Sequence, residues 1–275
     1  MYQLLLRLEG WLDRASPIIF TSSRHASQIL LDQFGCNPER TLSLPDCVNA
    51  DVFMPAVAYD PAELVALRAS LGIPVNRRLV VYLGLLAEYQ GTGLLLEAMA
   101  RIVRQRADAH LLLMGFPNEE LYKLRAGDLG ISDFVTFTGR VPYAQAPTYL
   151  ALGDLAVAPK LSLTEGSGKL LNYMAVGMPT VAFDTPVARE YLGPDGLFAR
   201  LGDVQSLADQ LCAGLFPSDQ ASDHYRRIGL RLRQRALQRF SWDVVGQQIV
   251  DAYRGLLGES IAPMSTSRDQ SVTCE

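Results

Sequence analysis

From Leu79 onward, short runs of aliphatic and β-branched residues alternate with helix-spaced segments, and this alternation restricts the fold more than any other feature of the chain. The candidate strands are residues 79–83, 110–114, 134–137, 154–158, 180–183 and 197–199. Several are apolar on both faces, as strands must be when helices cover each side of a parallel sheet. Between them, Leu95, Ala98, Met99 and Ile102 fall on one helical stripe, and Val204, Leu207, Ala208, Leu211 and Leu215 on another. The pattern predicts an α/β fold with a Rossmann-like, doubly wound parallel sheet.

The first residues form a different piece. A helix over residues 2–15, a strand at 17–21, a helix starting after Ser22 or Ser23 and a strand at 41–44 amount to about two βα units. That is too few strands for an independent sheet of the usual size. Residues 46–61 read as a linker stiffened by Pro55 and Pro61. Two helices follow the α/β region, at 222–240 and 242–257, the second with Val245, Ile249, Tyr253 and Leu256 on one face. The small, polar stretch 260–275 reads as a disordered tail.

Charge and side-chain chemistry exclude several classes. With 25 Lys and Arg against 29 Asp and Glu, no basic block is available to bind nucleic acid. Cys36, Cys47, Cys212 and Cys274 form no CxxC pair, and His25, His110 and His224 are scattered, so no metal site is expected. The cysteines also lack the spacing of a disulfide framework, which makes the cytoplasm the default location. Arg7, Glu9, Asp13 and Arg14 interrupt the first helix, which therefore lacks the apolar core of a signal peptide. No apolar run approaches the roughly 20 residues that span a bilayer. Contact with the inner membrane face remains the alternative to a fully soluble location.

Five segments in colinear order resemble the retaining nucleotide-sugar glycosyltransferases of the GT-B fold, family 4. Pro17-Ile-Ile-Phe-Thr-Ser-Ser23 resembles the late strand of that family's first domain. Leu44-Pro-Asp-Cys-Val-Asn-Ala-Asp-Val-Phe-Met-Pro55 resembles its interdomain "PNGVDxxxFxP" segment. Leu83-Gly-Leu-Leu-Ala-Glu-Tyr-Gln-Gly91 resembles the first glycine loop of the second domain. Lys169-Leu-Leu-Asn-Tyr-Met-Ala-Val-Gly-Met-Pro-Thr-Val-Ala182 resembles the donor-site signature "KLLEYMAxGxPVVA", and Phe240-Ser-Trp-Asp243 the start of the closing helix. The resemblance implies a partial acceptor-side domain with linker at residues 1–57 and a nucleotide-sugar-binding domain at 58–240. It also implies a closing helix at 241–259 that packs back on the N-terminal piece.

The implied activity is transfer of a sugar from a nucleotide-diphosphate donor to an acceptor such as a glycan or lipid-linked glycan, with no metal or other cofactor. Glu165-Gly-Ser-Gly168 opens a helix, and free N–H groups there, with glycines allowing close approach, suit a diphosphate. The family's sugar-contacting acidic residue corresponds to Glu165; the alternative is that Glu165 only caps the helix dipole. The resemblance also puts Gly84, Gln90, Gly166, Ser167, Gly168, Lys169 and Asn172 in the donor site, and the Arg140–Val141 turn near the base. Gly115-Phe-Pro-Asn118 is a second candidate rim. Arg189 and Glu190 read as solvated surface charges.

Three positions depart from the family pattern. The glutamate that binds the ribose hydroxyls is Asn172, and the two phosphate-neutralising cations correspond to Leu85 and Gln90. A diphosphate would then lean on the helix start and on Lys169 or Lys160. The family's N-terminal glycine loop and catalytic-region histidine have no counterpart in the 275 residues. Two readings follow: a glycosyltransferase that is truncated or split, its other half encoded separately, or a degenerate, non-catalytic domain acting as a binding module. The amphipathic first helix is expected to pack its apolar face onto the nearby strands.

Overall fold

The structure, a computed structural model, describes residues 2–258, so the tail expected at 260–275 and Cys274 lie outside the described residues. The chain opens with α1 (Tyr2–Ala15), β1 (Ile19–Thr21), α2 (Arg24–Phe34) and β2 (Thr41–Ser43), followed by α3 (Pro61–Ser70). The α/β region contains β3 (Arg78–Leu85), α4 (Thr92–Val103), β4 (Ala109–Phe116), α5 (Glu119–Asp128), β5 (Val135–Gly139) and α6 (Ala146–Leu150). It continues through β6 (Leu155–Ala158), α7 (Gly168–Ala175), β7 (Thr180–Phe183), α8 (Pro186–Leu192), β8 (Leu197–Ala199) and α9 (Val204–Leu215). The long α10 (Asp219–Arg239) and then α11 (Trp242–Leu256) end the described chain.

All six strands expected from the apolar runs join one parallel sheet in the order β5-β4-β3-β6-β7-β8. Alternate residues of each strand feed two separate cores. Leu79 and Val81, Leu112 and Met114, and Ala156 and Ala158 pack with Leu171, Met174, Ile228 and Leu232 of α7 and α10. Their neighbours Val80 and Tyr82, Leu111 and Leu113, and Leu155 and Val157 pack with Leu95, Met99, Leu207 and Leu211 of α4 and α9. A strand with helices on both faces has no polar side, which is why these runs are apolar throughout.

Chain order reverses between β3 and β6, and this switch point is where an open α/β sheet forms its crevice. The two strands pair only through Val80 with Leu155 and Val81 with Ala156. Beyond that, the Tyr173 hydroxyl takes over as partner of β3, accepting from the Leu83 N–H at 2.7 Å. Burial there holds the phenol well above its ordinary pKa, against the lowering effect of its bond to the Leu83 backbone.

The N-terminal piece forms its own two-stranded parallel ladder, Ile19 to Thr21 against Thr41 to Ser43. The stretch read as a linker does more than connect: Val48 and Phe53 are completely buried in the core. Val48 also bridges to Ser241, its N–H donating to the Phe240 carbonyl at 2.9 Å. The Tyr253 ring of α11 meets Phe20 of β1 edge-on, with centroids 6.3 Å apart.

The first helix departs from expectation. It rests on α2 through Gly10, which faces the Phe34 ring, and through Arg14, whose guanidinium donates to the Phe34 carbonyl at 2.8 Å. Tyr2, Leu4, Leu5, Leu8, Trp11 and Leu12 are left exposed rather than packed on the strands. Two short strands offer too little surface to cover a 14-residue helix. No helix among the described residues is long and apolar enough to cross a membrane.

At the opposite end of β4 from the crevice, His110 is buried between the Arg77 guanidinium, 3.2 Å from Nδ1, and the Thr136 hydroxyl, 2.8 Å from Nε2. Burial, with Arg77 and Arg68 adding repulsion, lowers its pKa from 6.5 to about 4. Between those values acid protonates the unfolded chain but not the fold, so stability falls as the pH drops. The loss at this site reaches about 3 kcal/mol at most. In urea titrations at pH 7 and pH 4.5, His110→Gln should lose measurably less stability on acidification than the unsubstituted chain; equal losses would refute the assignment.

Candidate functional site

The crevice is a cleft of about 650 Å³ across the ends of β3 and β6. Every residue that the resemblance puts in the donor site lines it, namely Gly84, Gln90, Arg140, Val141, Glu165, Gly166, Ser167, Gly168, Lys169 and Asn172, whereas of the second candidate rim only Phe116 does. Arg140 stands on the outer rim, its guanidinium 5.1 Å from the Phe116 ring centre. Ser22 and Asp46 of the N-terminal piece and Lys160 after β6 complete the wall.

Local sequence explains the shape. Gly84 has φ near 151°, and a Cβ there would sit 2.7 Å from the Lys169 ammonium, so only glycine leaves room for that side chain. Gly91, at φ 75°, begins α4 hard against the Pro159 carbonyl, where a Cβ has no space. Gly166 is hemmed in by Asp46, Tyr191 and Ser22, its virtual Cβ lying 2.8 Å from the Asp46 Oδ2. These are positions of close backbone approach.

Contrary to the sequence reading, the helix start at α7 is not free. The Gly166 N–H donates to the Ser22 hydroxyl at 3.0 Å, and the Ser23 hydroxyl donates to the Thr164 carbonyl at 2.7 Å. The Tyr191 hydroxyl, facing the Ser167 N–H, donates to the Ser22 carbonyl at 3.1 Å and accepts from the Asp46 N–H at 3.2 Å. The Asp46 carboxylate faces the Gly168 N–H, and burial pushes its pKa up while Lys160 pulls it down. Ser22 and Asp46 of the N-terminal piece, with Tyr191 of α8, therefore occupy the Gly166, Ser167 and Gly168 donors at the helix start. Ser167 itself is buried, and its Oγ has no hydrogen-bond partner. Such an orphan costs about 1–3 kcal/mol.

The two lysines sit in contrasting surroundings. Lys160 is buried, paired with the Glu165 carboxylate at 2.8 Å and donating to the Gly166 carbonyl at 2.7 Å. Glu165 is thus an ion-pair partner rather than a helix cap, and its side chain remains 57% exposed, leaving it accessible from the cleft. Lys169 meets only neutral acceptors, the Tyr82 hydroxyl at 2.9 Å and the Gln90 Oε1 at 2.8 Å. Its ammonium also lies 4.2 Å from the Tyr82 ring centre. Burial, reinforced by Lys160, lowers its pKa to about 7.

Arg189 is a solvated surface charge, as expected, whereas Glu190 is largely buried. Arg189 pairs with both Asp184 oxygens at 2.7 Å. Glu190 is only 13% exposed, and its carboxylate accepts from the Arg24 N–H at 2.8 Å, tying α8 to α2. Among the described residues no group of three His, Cys, Asp or Glu side chains is arranged to hold a metal.

Ser22, Asp46, Tyr82 and Tyr191 were not named as site residues from the sequence. Ser22 and Asp46 lie inside segments that resemble family landmarks, which was the available signal. Their approach to Gly166 spans more than a hundred residues of chain and leaves no local pattern.

A family profile described as "Glycosyl transferases group 1" matches residues 77–215. The chain is 33% identical over 243 residues to the MMP alpha-(1->4)-mannosyltransferase of Mycolicibacterium hassiacum, covering 87% of this chain and 54% of that protein. It is 30% identical to the GDP-mannose-dependent alpha-(1-6)-phosphatidylinositol monomannoside mannosyltransferase of Mycobacterium tuberculosis, covering 86% of this chain and 60% of the relative. The chain thus spans about half the length of the curated relatives it matches. Among solved structures, a glycosyltransferase from Rickettsia africae superposes with a TM-score of 0.81 at 15% identity, over 91% of this chain and 67% of the other. Anabaena HepE in complex with UDP-glucose superposes with a TM-score of 0.80 at 21% identity, over 93% and 68%. These likenesses show the same fold. With a core profile matched across the sheet and every site residue of the resemblance gathered in one cleft, the chain belongs to the glycosyl transferases group 1 family.

Proposed function

We propose that the cleft is the donor half of a retaining glycosyltransferase and binds a nucleotide-diphosphate sugar. The observation that carries this reading is the convergence of Gly84, Glu165, Lys169 and Asn172 on one cleft at the sheet's switch point. Its volume of about 650 Å³ suits a ligand of that size. In this reading the diphosphate lies beside α7 and Lys169, Asn172 bonds the ribose through its amide, and the Arg140–Val141 turn lies at the base. Glu165 contacts the donor sugar. Transfer breaks the bond between the anomeric carbon and the phosphate oxygen and forms a bond to an acceptor hydroxyl, whose proton leaves with the departing diphosphate. Charge builds on that diphosphate, so cationic groups aimed at it lower the barrier. No metal ion or other cofactor enters the scheme.

The names of the relatives make GDP-mannose the first donor to test and lipid-linked glycans the first acceptors. The acceptor side, in this reading, faces the N-terminal piece, with contact at the cytoplasmic membrane face where such acceptors reside. Calorimetric titration with GDP, UDP, GDP-mannose and UDP-glucose should give a dissociation constant between micromolar and millimolar for at least one of them. Silence across all four would sink the proposal.

Replacing Glu165 by Ala should weaken binding of the sugar nucleotide about ten-fold while changing binding of the bare nucleotide less than three-fold, because one charge-assisted hydrogen bond to the sugar is lost. Equal losses for both ligands would remove Glu165 from the sugar site.

A further inference from the structure

We propose that Lys169 supplies the cation for the ligand's diphosphate, replacing the charges missing at Leu85 and Gln90, and that Gln90 holds its ammonium over the cleft. This inference rests on the donor reading above and specifies which residue carries the charge.

The case is one of elimination followed by geometry. The cleft offers four sources of positive potential: the α7 N-terminus, Lys160, Lys169 and, out on the rim beside the Phe116 ring where the donor reading puts the base, Arg140. The first is spoken for, since the Ser22 hydroxyl accepts from Gly166, and the Tyr191 hydroxyl and Asp46 carboxylate face the next two N–H groups. The Asp46 carboxyl group also sets a negative charge beside that helix end. Lys160 is neutralised by the Glu165 carboxylate at 2.8 Å and held by the Gly166 carbonyl. Lys169 has two neutral partners and no carboxylate within ion-pair distance among the described residues. Burial, then the neighbouring Lys160, lowers its pKa, and the more distant Glu165 carboxylate offsets this only in part. An incoming diphosphate would complete that set and raise the pKa again.

The donor-site signature itself carries a lysine at the position of Lys169, so what differs in this chain is the neutral partner at position 90. Gln90 is buried, and its Oε1 lies 2.8 Å from the Lys169 Nζ. A lysine at 90 and a lysine at 169 would therefore bring two ammonium groups to one spot. The glutamine turns that conflict into a hydrogen bond and leaves one charge. Gly84 belongs to the same arrangement, because any side chain there would displace the ammonium. Leu85, half-exposed at 41%, adds no charge to the opposite side.

The test compares GDP with GMP and UDP with UMP by calorimetry on the full chain, its K169Q variant and the charge-swapped Q90K/K169Q variant. The unsubstituted chain should prefer the diphosphate. K169Q should lose at least ten-fold in diphosphate affinity, about 1.4 kcal/mol, with monophosphate affinity changed less than three-fold. The swap should recover diphosphate affinity to within about three-fold, since it returns one ammonium group to the same place. A K169Q protein that keeps the full diphosphate preference would overturn the proposal while leaving the donor reading intact. If K169Q does not fold, the swap decides: a folded swap without diphosphate preference overturns the proposal equally. Failure of the unsubstituted chain to bind any of the four nucleotides would instead overturn the donor reading, and this inference with it.

Discussion

The hydrogen bonds between Ser22, Tyr191 and the Thr164–Gly168 loop hold this structure's functional surface together. That loop leaves β6 at the switch point and must turn sharply into α7. Glycines make the turn sterically accessible but also entropically costly to order. The missing constraint comes from outside the loop: the Ser22 and Ser23 hydroxyls of the N-terminal piece hold the Gly166 N–H and the Thr164 carbonyl, and the Tyr191 phenol of α8, which faces the Ser167 N–H, is itself bonded to the Ser22 carbonyl and the Asp46 N–H. With the loop fixed, the Lys160–Glu165 pair, the start of α7 and Lys169 all acquire defined places. The two βα units at the N-terminus are thus part of the site's wall, despite being too small to form a sheet of ordinary size.

The electrostatics of the cleft follow from solvation more than from net charge. Lys160 is tolerated in a buried position because a carboxylate and a carbonyl replace its water. That ion pair is half-exposed on the glutamate side and contributes little to stability. Its value lies in holding a carboxylate at the rim. Lys169 is the opposite case: two neutral oxygens and an aromatic face compensate it incompletely. A site that keeps one cation under-compensated is prepared for an anion and binds it without first breaking an ion pair.

The strands were legible because a doubly covered sheet demands continuous apolar runs, and these are rare enough to stand out. Leu111 to Met114 illustrates the point, since alternate residues enter different cores. The less amphipathic helices were not legible: α5 buries only Tyr122 and Ala126, and α3 buries none of its residues. The linker misled because Pro45, Asp46, Asn49, Asp51 and Pro55 break up its apolar residues, yet Val48 and Phe53 are completely buried. At the site, Glu165 to Asn172 could be found because they are contiguous on a glycine-rich loop and helix. Ser22, Asp46 and Tyr191 could not, because their roles arise only when distant segments meet. The occupied helix start is the same kind of fact: three partners from elsewhere in the chain change what a local pattern means.

The short ladder between β3 and β6 carries a consequence for how such a cleft can vary. Only two registered pairs join the central strands, with Asp154 bonded to the Leu79 backbone just before them and Tyr173 filling in beyond. The crevice is therefore made by stopping a ladder early, and rigidity and capacity draw on the same backbone. Each additional rung would stitch the sheet more firmly and shorten the opening by about one residue's rise, near 3.3 Å. Diversification of this fold toward larger or smaller ligands is then expected in the loops and in the side chains capping the seam, where volume changes without unzipping the sheet.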